Sequence, residues 1–338
     1  MKFQTQQLNT ATFVGIDAHP DSHTAIAINR FQEPKGHITF PNSIEGIEDF
    51  TTWLKKLEEN YDNVIIGVEG GGNARNGLLS AILQSHSLLF EVNPLYTKHR
   101  RGFGTRGDKT DARDAKLVAG ILTTDLEELP KIIPEQVSSS VLRLKKAVWF
   151  YEETTTQGAR LQNQLHKLKR EHKLTKDARE KQLLARVIKA RDRERLLIEQ
   201  EKRGMEKELK TLFPGYGLNL TSIRGIGVIT AARIVAHTHC IERIHSRDGF
   251  VRYAGIAPIA RSSGKAQLFI KNNRGNRKLN TVLYYAAMTR IIHNPKVKAQ
   301  YQKKIATGKT KKEAIQYIMR KTAILAYGMM KSGKGYRG

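Results

Sequence analysis

The chain has 338 residues, long enough for two folded domains, and its formal net charge of +26 is extreme for an enzyme. Such a charge favours a polyanionic partner, most simply nucleic acid, because Lys and Arg displace the counterions condensed on phosphates. The single cysteine, Cys240, excludes an internal disulfide and a cysteine-based zinc site. There is no apolar run of membrane-spanning length and no signal-peptide core, so we expect a cytoplasmic protein without a membrane partner.

The charge is unevenly distributed along the chain. Residues 1–130 contain 13 Lys and Arg against 17 Asp and Glu, whereas residues 261–338 contain 19 against a single acid, Glu313. This contrast suggests that the acidic first part performs chemistry and that the basic remainder holds a polyanion.

Residues 1–130 alternate between strand and helix patterns. Three short strands are predicted first, followed by a helix capped by Ser43 and a β-branched run typical of a strand buried on both faces. The predicted strands are 12–18, 23–30, 37–41, 63–70 and 88–94, and the predicted helices are 43–61 and 74–86. This order predicts an α/β domain with a mixed sheet.

Residues 131–215 are charge-rich and show helical periodicity. Leu161, Leu165 and Leu168 recur at the four–three spacing of a coiled coil. The pattern predicts a pair of antiparallel helices forming a coiled-coil spacer or arm, which ends at Pro214. Its lysines could equally follow a phosphate backbone.

Residues 216–338 are predicted to form a mainly α domain. In LTSIRGIGVITAARIVAHT, Gly225 and Gly227 lie between two short helical segments, a pattern that resembles a helix-hairpin-helix. That motif directs backbone N–H groups at a DNA phosphate, whereas a glycine turn between core helices is the alternative. The residues expected to contact nucleic acid are Arg224, Gly225, Gly227, Arg261, Lys265, Lys271, Arg274, Arg277 and Lys278.

Aromatic residues interleave with these cations and could stack on bases. At helical spacing, core packing is the favoured role for Tyr284 and Tyr285. The remaining candidates are Tyr253, Phe269 and Tyr301.

Carboxylates occupy positions where an α/β sheet binds ligands. Asp17 ends the first predicted strand, Glu69 ends a central strand, and Asp111 and Asp114 belong to a later helix. Four carboxylates suit Mg²⁺, which prefers oxygen ligands, and two such ions support phosphodiester chemistry in the manner of ribonuclease H and Holliday-junction resolvases. As alternatives, Asp17 is a turn residue and Glu69 is a helix cap.

The segment DKTDARDA places three aspartates at three-residue spacing. We expect Asp108 to cap a helix, with Asp111 in its first turn and Asp114 one turn further on nearly the same face. The helix dipole accounts least for Asp114, which therefore most needs a functional role. A weaker alternative metal site pairs His19 with His23.

The segment RSSGK offers a candidate nucleophile. A small hydroxyl beside a glycine, with Arg261 and Lys265 available to hold a phosphate, suits attack on a phosphodiester. A loop that only binds phosphate or turns the chain is the alternative.

The order GIDAH, GVEGGG, DKTDARDA, helical spacer, SIRGIG, YAGIAPIARSSGK and basic helical end resembles the DEDD insertion-sequence transposases, the insertion-sequence one-hundred-and-ten family. The resemblance covers roughly residues 12–335. It implies a RuvC-like, RNase H-like domain at 1–130, the helical spacer at 131–215 and a transposase domain at 216–338. It also implies a nucleophilic serine, Ser263 or its neighbour Ser262. The catalytic, metal-binding acids that it implies are Asp17, Glu69, Asp111 and Asp114, with Asp108 outside the pattern.

The same resemblance implies a DNA recombinase that uses Mg²⁺ or Mn²⁺ and is guided by a structured RNA encoded by its own element. Its partners would be donor DNA, target DNA and further copies of itself, as a dimer or tetramer in the prokaryotic nucleoid. The alternatives are a junction-selective nuclease with an incidental serine and a non-catalytic nucleic-acid scaffold. A scaffold would have no reason to combine all four acids with the Ser-Gly pair.

Overall fold

The computed structural model describes residues 5–61, 63–70, 75–86, 88–102, 110–216, 218–238, 240–263, 266–270, 272 and 275–335. Within these ranges the side chains at 5–7, 95, 102, 259–263 and 266–270 are not described. The chain divides into two compact units, Met1–Ser138 and Ser139–Gly338.

The first unit contains a five-stranded sheet in the order β3-β2-β1-β4-β5. The elements are α1 (Thr5–Thr10), β1 (Thr12–Ala18), β2 (Ser22–Ile28), β3 (Pro34–Pro41), α2 (Ile44–Asn60), β4 (Val64–Glu69), α3 (Asn76–Ser85), β5 (Leu89–Val92), α4 (Pro94–Gly102) and α5 (Asp111–Asp125). Strands β1, β4 and β5 pair in parallel, whereas β2 pairs antiparallel with both β1 and β3. The predicted mixed sheet is confirmed, with strand bounds that differ by a few residues.

Helices cover both faces of this sheet. The predicted cap of α2 is confirmed, because Ser43 Oγ accepts a hydrogen bond from Gly46 N at 3.1 Å. Helix α2 buries Phe50 and Leu54 in a core shared with α3 and one face of the sheet. Helix α5 covers the opposite face, where its Val118 packs in a second core.

At Gly15 the backbone of β1 lies directly against the backbone of α5. A Cβ added to Gly15 would lie 2.1 Å from Ala115 O and 2.2 Å from Ala119 N. One strand away, a Cβ added to Gly67 would lie 3.0 Å from the Leu122 side chain. Glycine is therefore required at position 15, and its contact fixes the height of α5 above the sheet.

The second unit is mainly helical. Its elements are α6 (Ser139–Leu174), α7 (Ala178–Leu212), α8 (Val228–Thr238), α9 (Arg247–Tyr253), β6 (Ile259–Ser263), β7 (Ala266–Ile270), α10 (Arg277–His293), α11 (Pro295–Ala306) and α12 (Lys311–Ser332). Strands β6 and β7 form an antiparallel pair that the sequence pattern did not indicate. Within the described part of the chain, no helix has the apolar length needed to cross a membrane.

Helices α6 and α7 form the predicted antiparallel pair. A Cβ on Gly158 would meet Ile198 at 3.4 Å, and Lys169 Nζ lies 3.1 Å from Asp192, so one helix ascends as the other descends. Leu161 is buried in this pair, as predicted from its spacing. A side-chain cap starts the second helix, since Asp177 Oδ1 accepts from Glu180 N at 2.7 Å.

Helices α8, α9, α10 and α12 build the core of the second unit together with the start of α6. Gly225 has φ +95°, and an added Cβ would lie 2.8 Å from Arg290 Cγ, so the turn before α8 packs directly on α10. The buried Arg290 donates to Thr322 Oγ1 at 2.8 Å and joins α10 to α12. The prediction that the C-terminal part is mainly α-helical is thus confirmed.

We predict that Gly15→Ala destabilises the first unit by at least about 1–3 kcal/mol, because its methyl group meets backbone atoms that cannot rotate away. Hydrogen–deuterium exchange of β1 and α5 amides measures the loss. Gly77→Ala is the matched control, since its added Cβ first meets Ile47 Cδ1 at an ordinary 3.4 Å. Equal protection of β1 in Gly15→Ala and Gly77→Ala would contradict the prediction.

Candidate active site and nucleic-acid interface

Asp17 and Glu69 follow paired positions at the ends of neighbouring parallel strands. Ile16 of β1 pairs with Val68 of β4, and each acid is the next residue along its strand. Neighbouring strands lie about 4.8 Å apart and side chains alternate between faces. The acids therefore share the face on which Gly15 meets α5, and both are half-buried.

The first turn of α5 carries the other two predicted acids. Thr110 caps this helix, with Oγ1 accepting from Arg113 N at 3.2 Å, so the prediction that Asp108 is the cap is wrong. Asp108 itself lies outside the described residues. Asp111 is exposed at the first helical position, whereas Asp114 is only 1% exposed and faces inward.

Helix α4 links Glu69 to Asp114. Thr97 Oγ1 donates to Glu69 Oε1 at 2.9 Å, and Arg101 Nε donates to Asp114 Oδ1 at 2.7 Å. Thr97 and Arg101 are four residues apart and so share one helical face. Glu69 does not cap α3, which has no side-chain cap. Sequence reasoning missed both α4 residues, since only the fold brings them to the acids.

The described acids do not form a closed metal cluster. Across the described residues, no three His, Cys, Asp or Glu side chains are arranged to hold a metal ion, and His19 with His23 is no exception. The carboxylate oxygens nevertheless suit a hard divalent cation. In this conformation the guanidinium of Arg101 supplies the positive charge at Asp114.

The Ser-Gly segment lies at the end of a strand. Ser263 is the last residue of β6 and pairs with Ala266 of β7, whereas Gly264 and Lys265 lie outside the described residues. The side chains of Arg261, Ser262 and Ser263 are also not described.

Close glycine packing fixes the base of this strand pair. A Cβ on Gly275 would lie 2.3 Å from Gly255 Cα, and Asn276 N donates to Tyr253 O at 2.7 Å. These contacts join the end of α9 to the start of α10, the two helices between which the strand pair lies in the chain.

The remaining predicted nucleic-acid contacts are distributed over the second unit. Arg224 and Gly227 are exposed before α8, following a three-residue 3-10 helix at Leu220–Ser222. Arg277 and Lys278 are exposed in the first turn of α10. Lys271 and Arg274 lie outside the described residues.

A half-buried carboxylate that sequence reasoning missed organises the cations beside α10. Glu152 of α6 accepts from Arg233 Nε at 2.9 Å and lies 2.7 Å from His237 Nε2, with Lys278 Nζ at 3.5 Å. Burial would raise the pKa of Glu152, but the hydrogen bonds and charges of His237 and Arg233 outweigh it and lower the pKa to about 2. The i,i+4 spacing of Arg233 and His237 was the only sequence signal.

The core-packing prediction for Tyr284 and Tyr285 is wrong, because these side chains are 39% and 58% exposed. Helix α10 instead buries the face that carries Leu283 and Ala286. Tyr253 has a structural role, since its hydroxyl donates to His237 O at 3.0 Å. Tyr301 packs against the helical core, and the side chain of Phe269 is not described.

Two family descriptions match this chain in order. Residues 14–173 match the DEDD transposases typified by IS110, described as "Transposase", and residues 218–302 match "Transposase IS116/IS110/IS902 family". The first match contains all four predicted acids, and the second contains Ser263 and the start of α10.

The chain is also similar to curated proteins over part of its length. It is 27% identical over 142 residues to "Insertion element IS110 uncharacterized 43.6 kDa protein" of Streptomyces coelicolor, covering 41% of this chain and 35% of that protein. It is 31% identical over 111 residues to "Pilin gene-inverting protein" of Moraxella bovis, a match that covers 32% of this chain and 33% of that protein. It is 28% identical over 119 residues to "Insertion element IS900 uncharacterized 42 kDa protein" of Mycobacterium paratuberculosis, a match that covers 35% of this chain and 30% of that protein.

The matched segments thus span about a third of each curated relative. The family matches are broader, because together they extend from the acidic sheet of the first unit into the helical core of the second. The chain belongs to the IS110 family of transposases.

Proposed function

We propose that the protein is a DNA recombinase of an insertion sequence, which cleaves and exchanges strands with metal-binding acids and a serine nucleophile. The observation that carries this proposal is the register of β1 and β4, which sets Asp17 beside Glu69 on the α5 face. Family membership and the name of the Moraxella relative, which describes gene inversion, support DNA rearrangement as the reaction.

The proposed acidic site consists of Asp17, Glu69, Asp111 and Asp114, holding Mg²⁺ or Mn²⁺. When bound, such a cation supplies positive charge that stabilises the reacting phosphate in the transition state. Thr97 orients Glu69 through its hydrogen bond, and Arg101 neutralises the carboxylate of Asp114.

Ser263 is the proposed nucleophile. Its Oγ forms a bond to the phosphorus of the scissile phosphodiester as the bond from phosphorus to one sugar oxygen breaks, and the serine proton passes to that leaving oxygen. In the reverse step, the hydroxyl of the exchanged strand attacks the same phosphorus and releases the serine. Arg261 and Lys265 are proposed to hold the phosphate.

The basic second unit is proposed to hold the partners: donor DNA, target DNA and a structured guide RNA. Backbone N–H groups around Gly225 and Gly227 would contact a phosphate in the manner of a helix-hairpin-helix. The helical pair would act as a coiled-coil arm in a dimer or tetramer in the prokaryotic cytoplasm. The proposed domains are a RuvC-like domain at 1–130, a helical spacer at 131–215 and a transposase domain at 216–338.

We predict that Asp17→Asn and Asp114→Asn each lower strand exchange at least about 100-fold, because each removes a charged oxygen ligand. The measurement is recombination of a plasmid that carries the gene with its natural flanking DNA. Asp49→Asn, at an exposed position of α2, is the matched control and should recombine normally. Normal exchange by both acid variants would favour the scaffold alternative.

We predict that Arg101→Ala binds Mn²⁺ roughly tenfold more tightly than the unaltered chain, because the buried Asp114 then lacks its competing cation. Isothermal titration calorimetry measures this affinity without any reaction. Arg100→Ala is the control, since Arg100 pairs with Asp125 at 2.8 Å. Weaker binding by Arg101→Ala would show that Arg101 supports the cation site.

We predict that Ser263→Ala abolishes strand exchange and the covalent protein–DNA adduct, while nucleic-acid binding stays within about twofold, because only the attacking oxygen is lost. Adducts are separated under denaturing conditions. Ser262→Ala is the adjacent control and should still form adducts. The reverse result would identify Ser262 as the nucleophile, and adducts in both variants would contradict serine chemistry at this segment.

A further inference from the structure

The second unit contains a cavity of about 490 Å³. Side chains from α6, α8 and α10 line it, and their chemistry is divided between aromatic rings and cations. The lining residues that matter here are Trp149, Glu152, Arg233, Arg277, Lys278 and Tyr285. The volume lies within the range of about 300–1,000 Å³ typical of small-ligand pockets.

The half-buried Glu152 contacts two of the three cations that line this cavity, Arg233 and Lys278. Its carboxylate accepts a hydrogen bond from Arg233, which also lines the cavity, and lies 2.7 Å from His237 Nε2. Arg277 and Lys278 add two exposed positive charges at the start of α10, and Lys278 Nζ also lies 3.5 Å from Glu152. Together with Arg233 they face the two carboxylates of Glu152 and Glu153 on the same lining. The lining therefore has an excess of positive charge, which favours an anionic ligand.

Exposed aromatic rings line the same cavity. Trp149 is 43% exposed and Tyr285 is 58% exposed, large values for rings of that size in a packed unit. Each has an immediate neighbour that does not line the cavity, Phe150 and Tyr284, exposed to 44% and 39%. An anion with a flat, apolar face could stack on the rings and pair its negative charge with the cations.

We propose that this cavity binds one unpaired nucleotide of a nucleic-acid strand, with its base against the rings of Trp149 and Tyr285 and its phosphate held by Arg277 and Lys278. Stacking accepts any base, so the cavity would secure a strand without reading its sequence. DNA and RNA strands both offer this chemistry. The inference deepens the proposed function, since it assigns a binding subsite for a strand that a recombinase must hold.

The test measures the affinity of the full chain for single-stranded DNA and RNA oligonucleotides of about 12 nucleotides, by fluorescence anisotropy in the presence of EDTA. EDTA removes divalent cations, so the outcome is independent of strand exchange, the acidic site and Ser263. Trp149→Leu and Tyr285→Leu keep an apolar side chain but lose the ring. Phe150→Leu and Tyr284→Leu are their matched controls, and thermal unfolding verifies that each variant is folded.

We expect the Trp149 and Tyr285 variants to bind the oligonucleotide about 5- to 100-fold more weakly, as stacking energies predict, while the two control variants stay within about twofold. On an oligonucleotide of abasic residues, which keeps the phosphates, all four variants should bind alike. A loss confined to DNA or to RNA identifies the strand that enters the cavity. Equal losses in tested and control variants, or no loss on either strand, would overturn the proposal.

The phosphate contact has its own measurement. Arg277→Gln should reduce the slope of log affinity against log salt by about 0.7 for a single strand, the value for one phosphate neutralised. An unchanged slope would overturn the assignment of Arg277 to the phosphate.

Discussion

The backbone contact between Gly15 and α5 is the constraint on which the acidic site depends. A side chain at position 15 would collide with Ala115 and Ala119, so only glycine lets the helix lie directly on β1. At that height the inward-facing Asp114 accepts a hydrogen bond from Arg101 of α4. One helical turn earlier in α4, Thr97 donates to Glu69. The strand register then adds Asp17 to the same face. The backbone contact between β1 and α5 thus positions the acids of β1, β4 and α5 and the α4 residues that bind two of them.

A different interaction organises the second unit. There a half-buried carboxylate, Glu152, contacts Arg233 and His237 of α8 and Lys278 of α10, beside aromatic rings that line the same cavity. Its pKa of about 2 keeps it ionised at neutral pH, so the cations stay paired in position. The strong positive charge of the C-terminal part is thus held on an ordered framework of helices, and the acids of the first unit lie on a rigid sheet.

Much of the fold followed from hydrophobic periodicity. The β-branched run before Glu69 was typical of a buried strand, and Ser43 preceded a regular apolar face, so both elements were predicted to within one residue at each end. The ends of strands in turn indicated Asp17 and Glu69. These signals are local in sequence, and they predict the elements correctly because the apolar residues that produce them are buried against the sheet.

Other features depend on contacts between distant segments and left little trace in the sequence. Asp108 and Thr110 are both good cap residues, and the structure selects Thr110, which starts α5 at Asp111. Arg101 and Glu152 pair with residues 13 to 126 positions away, a distance at which no spacing rule applies. Tyr285 resembled a core residue because α10 is apolar on several sides, yet it faces outward.

The central claim is that the ends of β1 and β4, with the start of α5, bind a divalent cation. Anomalous X-ray diffraction from crystals of the full chain grown with Mn²⁺ and DNA tests it most directly. We predict an anomalous peak bounded by Asp17, Glu69 and Asp114, with Arg101 displaced from Asp114. A peak elsewhere, or an intact Arg101–Asp114 pair with no peak beside it, would contradict the account.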